Sequence, residues 1–150
     1  MSGPGATDRS RLSLILFSGD YDHVHYAMAM AAAAAATARP VTLLFTMGAI
    51  HALRTELGDG SPGWSALKPG ETGDAPGARD ARHGEDGIAT LDELIAACGE
   101  LGAAFQVCEM GMVAEHLTRD DLRGDLTIVS GGLVGFLAEA ERDNGRVIFI

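Results

Sequence analysis

Cysteine is scarce in this chain. Two occur in 150 residues, at 98 and 108, too few for a disulfide framework and without the C-x-x-C spacing of a zinc knuckle or a thioredoxin-like redox pair. A reducing, cytoplasmic setting is the expectation. Basic residues are also few, with 11 Lys and Arg against 21 Asp and Glu and a formal net charge of -10. Such an acidic surface repels phosphate backbones and anionic lipid, so neither nucleic acid nor a membrane surface is an expected partner. Long apolar runs are missing. The alanine-rich stretch 26–38 is 13 residues long, short of the ~20 that a bilayer-crossing helix needs. The first residues hold Gly, Pro, Thr, Asp, Arg and Ser with no apolar block of signal-peptide length. Residues 1–10 read as a flexible arm, and the rest as one domain.

What is present is a repeated alternation of short apolar runs and helical patterns. Residues 12–17 (LSLILF), 41–46 (VTLLFT), 103–108 (AAFQVC), 125–129 (DLTIV) and 146–150 (RVIFI) are the strand candidates, near-continuous in apolar side chains as strands buried on both faces are. Between them lie helix candidates at 21–38, 48–57, 88–101 and 133–142, and a short amphipathic stretch at 114–122. Asp20 or Asp22 is placed to cap the first helix, and Pro40 closes its far end. In 88–101 the residues Ile88, Leu91, Leu94, Ile95, Cys98 and Leu101 fall on one face. The segment 58–87 accumulates Gly, Pro, Asp and Arg, loses apolar periodicity, and is expected to be an irregular surface insertion. This order predicts an α/β fold: a three-layer α/β/α, flavodoxin-like domain around a mostly parallel five-stranded sheet. Right-handed crossovers then gather the carboxyl ends of the strands along one edge, where ligands of open α/β sheets bind.

Four turns are expected at that edge: Ser18-Gly19-Asp20, Thr46-Met47-Gly48, Cys108-Glu109-Met110 and Ser130-Gly131-Gly132. Cys108 is the strong nucleophile among them. Its strand-end position beside glycine turns favours a thiolate, while the carboxylate of Glu109 opposes one. Cys98, on the apolar stripe of a helix, reads as a small core residue. His51, in the helix candidate after the second strand, is placed to reach a neighbouring thiol or to pack on the sheet. A metal site built from His23, His25, His51 and Cys108 is disfavoured, because residues two apart on a helix lie ~200° around its axis. Gly131 and Gly132 offer an anion a weak cradle, without the lysine of a P-loop. Met47, Met110 and Met112 supply soft, polarisable lining or core filling.

These residues, in this order, resemble the DsrE/DsrF-like proteins. Residues 14–53 carry an S-G-D turn, an alanine-rich helix and a strand end, Phe45-Thr46-Met47-Gly48, similar to the family's F-F-T-x-x-G. A helix leading into a strand that ends Cys108-Glu109-Met110 matches a second family segment, and SGGLVGFL at 130–137 resembles its small-residue turn and Phe-Leu helix start. The resemblance leaves out the arm and 58–87. It implies a flavodoxin-like domain assembling as a homo-oligomer, a trimer or hexamer. It also implies sulfur relay, in which Cys108 takes sulfane sulfur from a donor protein and holds it as a persulfide for an acceptor, with no metal or organic cofactor. Gly19, Asp20, Gly48, His51, Glu109, Met110, Gly131 and Gly132 would frame that site. Two alternatives stand beside it. One is a non-catalytic oligomeric protein of the same fold that binds a small anion or a partner, with Cys108 inert. The other is a thiol peroxidase in which Cys98 resolves an oxidised Cys108.

Overall fold

The computed structural model describes residues 10–142 and 144–150; the arm expected at 1–10 lies outside them but for Ser10. Five strands, β1 (Leu12–Leu16), β2 (Val41–Phe45), β3 (Ala104–Cys108), β4 (Ile128–Gly131) and β5 (Arg146–Phe149), form one sheet in the order β4-β3-β2-β1-β5, and every pairing is parallel. β1 and β2 are buried at every position, as their unbroken apolar sequence requires. The fold is the three-layer α/β/α, flavodoxin-like arrangement, with an all-parallel sheet.

One face of the sheet is covered by α1 (Tyr21–Ala36) and α3 (Leu91–Glu100). Tyr21, Val24, Met28, Ala31 and Ala35, spaced three and four apart, form the buried stripe of α1. The alanines bring α1 close to α3, where the Cys98 sulfhydryl donates to the Met28 carbonyl at 3.7 Å. Beneath them Phe45 and Phe105 stack with ring centroids 6.1 Å apart. On the other face α5 (Leu133–Arg142) lays Phe136 over Ile15, Leu44 and Cys108. Cys98, on α3, and Cys108, at the end of β3, therefore lie in separate core clusters on opposite sides of the sheet.

Several expectations are corrected. The stretch 48–57 is not an α-helix but a 3₁₀ helix, Met47–Leu53, after which Arg54 is extended. The segment 58–87 is ordered and partly interior: it contains a 3₁₀ turn (Gly63–Ala66) and α2 (Pro76–Glu85), and Trp64 and Leu67 are buried. Polar contacts hold α2 in place of an apolar stripe. Its buried Asp80 accepts from the Tyr21 hydroxyl and, at 2.7 Å, from the Leu91 amide, while Arg79 pairs with Asp22 at 3.3 Å. α3 runs only from Leu91 to Glu100, shorter at both ends than the apolar pattern suggested, and Ile88 and Leu101, which flank it, are about half exposed. The Glu-Met-Gly-Met turn is a short helix, α4 (Glu109–Ala114). β4 sits later than 125–129, and Ser130 and Gly131 pair with Val107 and Cys108 as strand residues, leaving Gly132 to turn the chain.

Candidate functional site

At the carboxyl edge of the sheet the chain leaves β1 through Ser18-Gly19-Asp20 and leaves β2 through Met47-Gly48. These two turns touch. A Cβ added to Gly19 would stand 3.0 Å from the Gly48 Cα, and one on Gly48 would stand 3.0 Å from the Gly19 Cα, so the approach depends on both lacking side chains. The segment after Trp64 then joins the first turn by two backbone hydrogen bonds. Lys68 N–H donates to the Gly19 carbonyl, and Tyr21 N–H donates to the Lys68 carbonyl, each at 2.9 Å. α4 arrives from the other side, where Gly111 packs so tightly that a Cβ would meet the Met47 amide nitrogen at 2.6 Å. One turn later Glu115 reaches His51, with Oε1 3.0 Å from Nε2.

The result is a cleft of about 450 Å³ lined by Phe17, Asp20, Met47, His51, Lys68 and Glu115, among others. Asp20 caps α1 by accepting the His23 amide at 2.8 Å, and its other oxygen takes the Ser18 hydroxyl at 3.0 Å and the His23 ring at 2.6 Å. Burial alone would raise the Asp20 carboxyl; these hydrogen bonds outweigh it and hold the group below its ordinary value. His51 Nδ1 is buried without a hydrogen-bond partner. Met47 adopts a left-handed conformation, φ 49°, which costs a non-glycine residue about 1–2 kcal/mol.

Cys108 stands elsewhere. It ends β3, occupies the cap position of α4, is 3% exposed, and forms no disulfide. It lines a second, largely apolar cavity of about 480 Å³ with Glu109, Met110, Gly131, Gly132, Leu133 and Val134. Glu109 is exposed at the start of α4, so its carboxylate is directed to solvent rather than into the core cluster that holds the sulfur. The predicted residues therefore divide. Gly19, Asp20, Gly48 and His51 share the cleft, while Cys108, Glu109, Met110, Gly131 and Gly132 share the cysteine cavity.

Sequence reasoning missed Lys68 and Glu115. Lys68 lies in the segment read as an irregular insertion, and only its pairing with the β1 turn brings it to the edge. Glu115 is the C-cap residue of α4, and only the packing of that helix against the 3₁₀ helix after β2 brings it to His51. Cys98 is fully buried and on the far side of the sheet from Cys108, so the peroxidase reading loses its resolving thiol.

No protein-family profile matches the sequence, and no curated protein sequence matches it. Among solved structures the chain is similar to MTH1491 from Methanobacterium thermoautotrophicum, described as a protein of unknown function. The match has a TM-score of 0.58 at 14% identity and covers 94% of this chain and 99% of that one. At that identity the likeness speaks for the fold.

Proposed function

We propose that this chain is a DsrE-like sulfur-relay protein that carries sulfane sulfur as a persulfide on Cys108. The observation that carries the reading is the placement of the thiol. Cys108 is a strand-end cysteine at the cap of α4, on the wall of an apolar cavity bordered by two glycines. The cavity leaves room for an incoming sulfur. In the transfer, the Cys108 thiolate attacks the terminal sulfur of a donor persulfide. The donor S–S bond breaks, a Cys108–S–S bond forms, and the donor leaves as its thiolate; the acceptor step is the same exchange in reverse. Donor and acceptor proteins are the partners this requires, and no metal or organic cofactor enters the exchange.

The exposed apolar residues around this cavity, Met110, Val113, Leu133, Val134 and Leu137, support a protein-docking or homo-oligomer surface here. Trp64 and the alanine face of α1 are packed inside the chain and do not add to it. Two free thiols accord with a cytoplasmic protein, and no described helix is long and apolar enough to cross a membrane.

One observation favours a second reading, a non-catalytic oligomeric binding protein: Cys108 is packed against Ile15, Leu44 and Phe136. A single experiment separates the two. Wild type, Cys98→Ser and Cys108→Ser are incubated with a persulfidated sulfurtransferase and weighed intact. A gain of one sulfur atom in the first two and none in Cys108→Ser is the expected result. No gain in wild type, or an equal gain in Cys108→Ser, overturns sulfur carriage at this residue.

A further inference from the structure

We propose that the cleft between the β1 and β2 turns is a binding site for a free α-amino acid, read at both of its charged ends. This site is independent of Cys108, which does not line it. Its residues come from four separate parts of the chain, the β1–α1 turn, the 3₁₀ helix after β2, the 66–68 segment and the end of α4, and they bring charges of both signs together.

Lys68 supplies the positive end. It is the sole lysine of the sequence and is anchored by two backbone bonds to the β1 turn. Its ammonium makes no hydrogen bond or ion pair among the described residues, in a chain where acidic groups outnumber basic ones nearly two to one. A ligand carboxylate is its complement. Glu115 and His51 supply the other end. His51 Nε2 lies 3.0 Å from Glu115 Oε1, which fixes that carboxylate on the cleft wall, where it is the complement of a ligand ammonium. Asp20 adds a second carboxylate to the cleft, beside Lys68, with which its backbone forms a β-bridge, its oxygens already engaged by His23 and Ser18.

The charge pattern excludes simpler ligands. A plain anion meets two carboxylates, and a plain cation meets Lys68; a zwitterion meets a partner at each end. Phe17, half exposed, and Met47 provide an apolar wall for the side chain, and about 450 Å³ lies within the ~300–1,000 Å³ of small-molecule pockets. The left-handed Met47 places backbone strain at this wall, where strain tends to accompany ligand sites.

The test is a titration followed by amide NMR, with Gly19 and Gly48 as reporters. Three probes are used: L-leucine, 4-methylpentanoate, which lacks the amine, and 3-methylbutylamine, which lacks the carboxylate. Leucine is expected to move both amides, and each analogue to bind about tenfold more weakly or worse. Lys68→Met, at an exposed position that leaves the fold intact, is expected to lose about tenfold in leucine affinity, and Glu115→Gln a similar factor. Silence of both reporters at millimolar leucine overturns the proposal. So does equal binding by either analogue, or full leucine affinity in Lys68→Met.

Discussion

Gly19 and Gly48 lie in backbone contact, each placed where the other's Cβ would intrude at 3.0 Å from a Cα. The cleft floor is therefore a meeting of two main chains, and it has no flexible side chain to give way. Gly48→Ala is expected to destabilise the protein by about 1–3 kcal/mol, the usual cost of forcing a methyl into a packed site, and to part the β1 and β2 turns. Urea denaturation of wild type and variant measures it. Unchanged stability would mean that the turns are free to separate.

Asp20 serves the cleft and the helix together. Its cap on the His23 amide makes Asp20→Ala cost about 0.5–2 kcal/mol. Because hydrogen bonding holds its carboxyl below 3.8, the folded state favours the ionised form. That contribution is complete above pH 3.8 and fades as the pH falls through the depressed value. The stability gap between wild type and Asp20→Ala is therefore expected to be constant near neutrality and to close on acidification. A gap that stays open at pH 2.5 would assign the cost to packing instead.

His83 works in the opposite pH range. Burial, the adjacent His25 ring, 4.6 Å away between centroids, and Arg79 lower its pKa below 6.5, against the pull of Asp80 and Asp22. The unfolded chain then binds more protons than the folded one, so stability drops as the pH falls through 6.5. Thermal melts at pH 7.5 and 5.5 are expected to show a larger loss for wild type than for His83→Gln. Equal losses would remove His83 from the account.

The sequence made the strands and helices α1 and α5 legible because burial on both faces, or a 3–4 apolar spacing, leaves a pattern that needs no tertiary knowledge. The register of β4 was hidden, since Ser130 and Gly131 look like turn residues until β3 is beside them. α2 was invisible for a different reason. Its ten residues contain two glycines and no apolar stripe, and what fixes it is one buried carboxylate shared between Tyr21 and Leu91. Pro76 at its first turn was the local sign available. The site was half legible. Strand-end turns point to the edge, but whether two turns share a cavity depends on which face of the sheet each side chain takes, and Cys108 takes the α5 face.

That shared carboxylate is testable. Tyr21→Phe leaves Asp80 with the Leu91 amide and without its hydroxyl donor, at an expected cost of about 1–3 kcal/mol. Trp64, buried with its ring centroid 5.9 Å from that of Tyr21, reports whether the 63–85 region stays docked. A red-shifted emission in the variant before global unfolding is the expected sign of local release. A variant as stable as wild type would show that α2 is held by its other contacts.

The two thiols should differ in reactivity because the sheet separates their surroundings. Burial pushes Cys98 up to about 11, and its sulfhydryl is enclosed between α1 and α3, so both ionisation and access oppose alkylation. Cys108 borders an open cavity, shared with Gly131 and Gly132, from which a reagent would approach. Native wild type treated with iodoacetamide is expected to take one label, native Cys108→Ser none, and each protein in denaturant one label per cysteine. A label on native Cys108→Ser would reveal opening of the α1–α3 core. An unlabelled native wild type would leave Cys108 sealed beneath Phe136, and an acceptor or donor sulfur would be kept out by the same packing.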